Sequence, residues 1–375
     1  MKPIQMVDLT TQYERIHEEI DRATLDVFRS GKYINGESVS QFASELANYT
    51  DAKYVIPCAN GTDALQISLM ALDLQVGDEV IVPAFTYAAT AEAIALLKLT
   101  PVLIDVNAQT FNIDVEKIEE AISPKTKAII PVHLFGQTAD MEPLMRIAQK
   151  HNLYVIEDNA QSIGSVYTFS NGMQKKAGTI GNIGTLSFFP TKNLGCYGDG
   201  GAMLTNNEEL AQKLKMIASH GQSRKYTHEI IGCNSRLDTV QAAILQVKLR
   251  YLDQYILVRK EAACIYRSGL NNDCEQIELP FCTPNSTHVY NQFTIKVKSN
   301  KRGGLSEYLR EKNVPSMIYY PLPLHHQLAF KNLVRLGSDL SETERLCQSV
   351  LSLPVHTELE KEQIHYIIDQ IKNYE

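Results

Sequence analysis

Residues 126–158 read TKAIIPVHLFGQTADMEPLMRIAQKHNLYVIED. An apolar run, TKAIIPVHL, is followed by an amphipathic segment from Met141 to Lys150 and then by a second apolar run, LYVIED. Runs that are apolar throughout, rather than alternating, read as strands buried on both faces, and a helix between two of them makes their pairing parallel. The alternation extends outward over residues 55 to 205. Further strand candidates are VIVP near Val80, TPVLIDV near Val102, TLSFF near Leu186 and GAMLT near Met203. Helix candidates are Thr62–Leu74, Thr86–Leu97 and Val115–Ile122. This predicts an α/β domain with a mostly parallel central sheet, whose ligands gather at the carboxyl ends of the strands.

After Asn206 the pattern changes to long helices, Glu208–Ser219 and Leu237–Gly269. A smaller α/β unit follows, with strand Gln292–Val297, helix Leu305–Lys312, strand Ser316–Tyr320 and two closing helices. The expected division is 1–249, an N-terminal arm and large domain, and 250–375, a small C-terminal domain. The stretch Thr168–Lys176 reads as a surface hairpin.

A chain of 375 residues with 44% hydrophobic and 21% charged residues is long enough for a sizeable core. Its net charge of -7 speaks against a nucleic-acid partner, which selects a basic face. The start, MKPIQMVDLTTQYERIHEEI, has no signal-peptide apolar core, and no apolar run approaches the roughly 18 residues of a membrane span. Seven cysteines without CxxC spacing fit reduced thiols and a cytoplasmic location. The triplets at Asn48, Asn60 and Asn285 then carry no glycosylation message.

Chemistry concentrates around Ser187–Ala202, SFFPTKNLGCYGDGGA, which sets Lys192 between an apolar strand and a run of glycines. A lysine with little crowding around it suits a covalent imine with an aldehyde cofactor, provided it can lose its proton. Asp158, at the end of LYVIED, is either a helix cap or salt-bridge partner, or an anion held against a protonated ring nitrogen. Gly61-Thr62, opening a helix after YVIPC, is either a plain cap or a phosphate site. Ser187 can add a hydroxyl there. Phe85 can stack on a planar ring, and Gln161 can bond a ring substituent. His133, His325 and His326 show no metal-ligand spacing, so no metal site is expected. Together these parts describe a pyridoxal phosphate pocket.

Those residues stand in motifs that resemble the DegT/DnrJ/EryC1/StrS family of nucleotide-sugar aminotransferases: CANGTDAL, PAFTYAATAEA, IEDNAQSIG, SFFPTKNLGCYGDGGA, NSRLDTVQAAIL and YYPLPLHHQ. The resemblance covers nearly the whole chain and implies the fold-type I architecture of aspartate aminotransferase. It implies that Lys192 forms the imine with pyridoxal 5'-phosphate and shuttles protons, that Asp158 pairs with the ring nitrogen, and that Gln161 bonds the ring hydroxyl. Phe85 would stack on the ring, and Gly61, Thr62 and Ser187 would hold the phosphate. Asn234 would reach the phosphate from a partner subunit, so that two chains of a homodimer share each site. Arg236 would approach the substrate from that same partner. Tyr33, His220, Tyr319 and Tyr320 would be substrate contacts. The form NLGCYGDGG resembles members that aminate C3. It implies transfer from L-glutamate, leaving 2-oxoglutarate, to a UDP-linked 3-keto sugar such as UDP-2-acetamido-2-deoxy-3-oxo-glucuronate, in O-antigen synthesis. Other keto-sugar nucleotides, a sugar dehydratase and a non-catalytic scaffold are the alternatives; dehydratases of this kind replace the lysine with histidine.

Overall fold

A computed structural model describes residues 2–270, 274–298 and 300–374. In chain order its strands are β1 (Tyr54–Cys58), β2 (Glu79–Pro83), β3 (Thr100–Ile104), β4 (Thr126–Ile129) and β5 (Tyr154–Asp158). A hairpin of β6 (Val166–Thr168) and β7 (Gln174–Lys176) follows, then β8 (Ile183–Ser187) and β9 (Gly201–Thr205). The rest are β10 (Gln222–Arg224), β11 (Thr227–His228), β12 (Ile277–Glu278), β13 (Phe293–Val297), β14 (Arg335–Leu336) and β15 (Val350–Leu353). The main sheet has the order β1-β9-β8-β5-β4-β2-β3-β14. All its pairings are parallel except those of β9, which runs antiparallel to β1 and β8.

Both sheet faces are covered, which is why the middles of its strands are apolar on both sides and polar residues such as Glu79, Thr126 and Asp158 sit at their ends. Val80, Val82, Leu103, Ala128 and Ile156 pack under the helices Gly61–Ala71 and Ala88–Leu96. Their neighbours Ile81, Val102, Ile104, Ile129 and Val155 pack on the other face against Met141, Leu144 and Ala148. The helix Thr239–Leu270 serves two cores in turn. Leu245, Leu249, Leu252 and Ile256 join Leu186, Phe188 and Leu204, whereas Ala262, Ala263, Tyr266 and Leu270 join Phe293, Ile295, Leu351 and Leu353. The latter lie around the antiparallel sheet β12-β13-β15. No helix among the described residues is long and apolar enough to cross a membrane.

Prolines account for two departures from expectation. Strand β4 stops at Ile129, short of the expected TKAIIPVHL, because Pro131 has no N–H to extend the ladder. Ser316–Tyr320 is not a strand: between Pro315 and Pro321 it forms one bridge, Met317 to Ser352. The expected helix Val115–Ile122 is a 3-10 turn followed by one α-turn, Ile118–Ala121.

Candidate active site

Asp158 ends β5 and is 5% exposed. Its backbone is held on both sides: its N–H donates to Pro131, and its carbonyl accepts from His133 N. Its Oδ2 accepts from Thr90 Oγ1 at 2.9 Å and its Oδ1 from the N–H of Ala160 at 3.3 Å. Burial raises its pKa, and these two donors with the charge of Lys192 pull it back down. The residue is not a helix cap, and the remaining acceptor capacity of the carboxylate is available to a cationic N–H.

Lys192 lies on the loop between β8 and β9. Burial lowers its ammonium pKa to about 8, against the opposing pull of Asp158. The loop is fixed by bonds from Lys192 N to Phe189 O, Cys196 N to Phe188 O and Phe188 N to Gly200 O. Asn193, buried beside the lysine, donates from Nδ2 to Val289 O at 3.1 Å. The glycines that follow do less to widen the pocket than their sequence suggests. A Cβ on Gly200 would sit 2.9 Å from Leu237 Cδ1, and one on Gly201 would meet the Asn60 carbonyl. Gly200 makes room for side chains and Gly201 for the Asn60–Gly61 backbone.

Gly201 thereby brings this loop to the start of the helix Gly61–Ala71. The Asn60 side chain caps that helix by accepting from Asp63 N at 2.8 Å. The N–H groups of Gly61 and Thr62 point out of the open helix end, a position that favours an anion. A Cβ on Gly61 would stand 2.7 Å from Ser187 Cβ and 3.3 Å from its Oγ, so glycine lets Ser187 at the end of β8 pack directly on the helix start. A phosphate fits this cradle.

An aromatic wall closes the other side. Phe85 is 1% exposed, with ring centroids 6.3 Å from Phe111, 6.4 Å from Phe135 and 6.1 Å from Tyr320. Gln161 is already engaged at both ends, its Oε1 accepting from Phe135 N at 2.8 Å and its Nε2 donating to Tyr320 Oη at 3.2 Å. One amide N–H remains for a ring hydroxyl. Tyr319 packs beside Tyr320, and burial raises the pKa of both phenols.

The other residues singled out in the sequence form a second group. Tyr33 O accepts from Thr239 N at 3.0 Å, His220 N donates to Cys233 O at 2.9 Å, and Ser219 pairs with Asn234. Asn234 and Arg236 flank Ser235, and the chain is extended there, so both side chains point away from the side that Ser235 faces. Ser235 is buried. Its hydroxyl donates to Asp63 Oδ2 at 2.7 Å and accepts from Ala59 N at 3.0 Å, docking the segment on the phosphate corner.

Thr90, Thr86, Asn193, Ser235 and Glu157 were not picked out from the sequence, and His133, considered there only as a metal ligand, forms a buried pair with Glu157. Ala139 N donates to His133 Nδ1, so Nε2 carries the hydrogen and donates to Glu157 Oε2 at 2.8 Å. Glu157 also accepts from the N–H groups of Gly178, Ile180 and Gly181. The only sequence signal was position: Glu157 adjoins Asp158. His325 and His326, expected to hold no metal, do converge on Glu344, at 3.1 and 3.6 Å. His326 and Glu344 are half exposed, and the three side chains each offer one ligand atom within 4.8 Å of the others, a grouping that their sequence spacing did not suggest.

Residues 14–372 match the DegT/DnrJ/EryC1/StrS aminotransferase family. The chain is 45% identical to a pleiotropic regulatory protein of Geobacillus stearothermophilus, over 99% of this chain and 98% of that one. It is 43% identical to the UDP-2-acetamido-2-deoxy-3-oxo-D-glucuronate aminotransferase of Pseudomonas aeruginosa, over 99% and 100%. Among solved structures, S. venezuelae DesV in complex with a ketimine intermediate superposes with a TM-score of 0.94 at 36% identity, covering 99% and 98%. NtdA from Bacillus subtilis with bound cofactor PMP does so with 0.86 at 37% identity, covering 94% and 80%. The family match over residues 14–372, the fold and these likenesses agree: the chain belongs to the DegT/DnrJ/EryC1/StrS aminotransferase family.

Proposed function

We propose that this chain is a pyridoxal phosphate-dependent aminotransferase that moves the amino group of L-glutamate to C3 of a UDP-linked 3-keto sugar. The observation that carries the reading is the buried carboxylate of Asp158 at a strand end, within electrostatic reach of Lys192 and on the same side of the sheet as the open helix start at Gly61. The cofactor, when bound, supplies an aldehyde and an electron sink for bonds to the amino-bearing carbon. Lys192, near its midpoint at neutral to mildly alkaline pH, can both take and return a proton. Asp158 holds the positive charge of the ring nitrogen. Gly61, Thr62 and Ser187 bind phosphate, Phe85 covers the ring face, and Gln161 offers its free N–H to the ring hydroxyl.

The substrate side belongs to the same proposal. Arg236 offers a bidentate site for the carboxylate of glutamate, leaving as 2-oxoglutarate, and Tyr33, His220, Tyr319 and Tyr320 would contact the nucleotide sugar. Asn234 and Arg236 would act across a homodimer. We take the residues of NLGCYGDGG and the Pseudomonas relative as support for UDP-2-acetamido-2-deoxy-3-oxo-D-glucuronate, hence for surface-polysaccharide synthesis in the cytoplasm. The division into 1–249 and 250–375 is likewise part of this reading.

The test is product mass spectrometry after supplying glutamate with a panel of UDP- and dTDP-linked 3-keto and 4-keto sugars. Amination of the UDP 3-keto members is the expected result. Amination of 4-keto sugars alone would overturn the position assigned. A regulatory role is the second reading, prompted by the Geobacillus relative. It requires a purified chain whose visible band does not fade with glutamate.

A further inference from the structure

We propose that Thr90 and Thr86 are positioning residues that keep a proton on the cofactor's ring nitrogen by holding Asp158 as a hydrogen-bonded carboxylate. The inference rests on the cofactor assignment above and extends it to two buried hydroxyls that the assignment leaves without a role.

Thr90 Oγ1 lies 2.9 Å from Asp158 Oδ2 and 3.3 Å from Thr86 Oγ1. A carboxylate only accepts, and a hydroxyl has one hydrogen, so the hydrogen of Thr90 is committed to Asp158. The contact between the two hydroxyls then runs from Thr86 as donor to Thr90 as acceptor. The result is a directed chain, Thr86 to Thr90 to Asp158, in which each bond polarises the next. Thr86, Thr90 and Asp158 are 4%, 1% and 5% exposed, so water does not compete for these bonds.

The direction of the effect follows. Asp158 and a ring nitrogen bonded to it share one proton, which rests on the more basic partner. Burial makes the carboxylate more basic, and the hydrogen bond from Thr90 is the first of the influences that oppose burial. A hydrogen bond donated to the carboxylate therefore favours the proton on nitrogen, the state in which the ring withdraws electrons best. The placement is economical in sequence: Phe85, Thr86 and Thr90 lie on one strand-to-helix junction, so a single segment supplies both the ring plate and the restraint on its acid.

The experiment loads wild type, Thr90→Val, Thr90→Ser and Thr86→Val with pyridoxal phosphate labelled with nitrogen-15 in the ring. It reads the ring-nitrogen chemical shift and the single-turnover fading of the visible band with glutamate. Wild type and Thr90→Ser should show a protonated nitrogen. Thr90→Val, nearly the same shape, should shift toward the unprotonated form and slow the half-reaction by about tenfold to hundredfold, the range for one hydrogen bond to a charged group. Thr86→Val should move both readouts the same way by less. A Thr90→Val enzyme with nitrogen shift and rate within twofold of wild type overturns the inference, and so does a Thr90→Ser enzyme as impaired as Thr90→Val. Should Thr90→Val not take up cofactor, an unchanged shift in Thr86→Val overturns the inference on its own. A wild-type chain that takes up no pyridoxal phosphate overturns the cofactor reading instead.

Discussion

The two halves of the candidate site are built in opposite ways. Around Asp158 and Lys192 the side chains are enclosed, and Thr90, Ala160, Phe135 and Tyr320 of the same chain meet the polar groups there. Along residues 219–239 and at Tyr33 the backbone is paired, Ser235, Leu237 and Thr239 point inward, and several large side chains are exposed: Tyr33 is 51% exposed, Tyr226 82% and Ile231 86%. One half is finished by its own chain. The other presents an edge that is anchored to its own chain by Ser235 on Asp63 and Tyr33 on Phe28 but leaves large side chains open to solvent, and in the proposed reading a second subunit completes it.

The largest effect tests the enclosed half. Lys192→Ala should lower glutamate turnover by at least about a thousandfold, because among the described residues Lys192 is the lysine whose charge acts on Asp158. Cofactor should still bind through the phosphate corner, and single-turnover kinetics with glutamate measure the loss. A variant that still turns over would remove Lys192 from the mechanism. Glu157→Gln should act on stability instead. It replaces an oxygen that accepts from His133 or from backbone N–H groups with an amide donor, inside a region of zero exposure. Breaking such a buried pair costs on the order of 3–5 kcal/mol, readable as a shift in urea midpoint.

The outward half breaks differently. Arg236→Ala should raise the glutamate KM by about tenfold to hundredfold with little change in cofactor affinity. The sharper measurement mixes it with Lys192→Ala. If Arg236 serves the neighbouring subunit's lysine, refolding the two variants together restores roughly a quarter of wild-type activity, since half the dimers are hybrids with one intact site. If both residues serve the same chain's site, nothing is restored, and the contrast between the two halves loses its explanation.

How much of this was legible follows the same line. Met141–Lys150 and the end of β5 at Asp158 could be read because periodicity and strand ends are local properties. The helix start at Gly61-Thr62 was visible for the same reason. The restraints on Asp158 were not, because Thr90 is 68 residues away in sequence and reaches it only once β2 and β5 share a sheet. The pair of His133 and Glu157 likewise depends on the adjacency of β4 and β5. The glycines after Lys192 were legible as small residues but not in what they pack against, which is the Asn60 carbonyl and Leu237 rather than open space. Ser316–Tyr320 misled because its apolar composition carried a strand signal that the flanking prolines cancel.

The smallest expected effect concerns the proton on Lys192. Capture of an aldehyde requires the neutral amine, and burial, which disfavours the ammonium, puts the midpoint at about 8 rather than at the model-peptide value of 10.5. The group is a base with a depressed pKa, so the reactive form is populated above about pH 8 and lost as the pH falls through it. The rate at which cofactor-free protein takes up pyridoxal phosphate should rise about tenfold between pH 7 and 9 and then level off. An unperturbed lysine would rise about a hundredfold over the same interval with no plateau. Asp158 opposes burial here, so Asp158→Asn should move the plateau to lower pH, whereas Arg236→Ala should leave it in place. A plateau that moves with Arg236 would mean that the outward half reaches the lysine within one chain, and that the two halves are one.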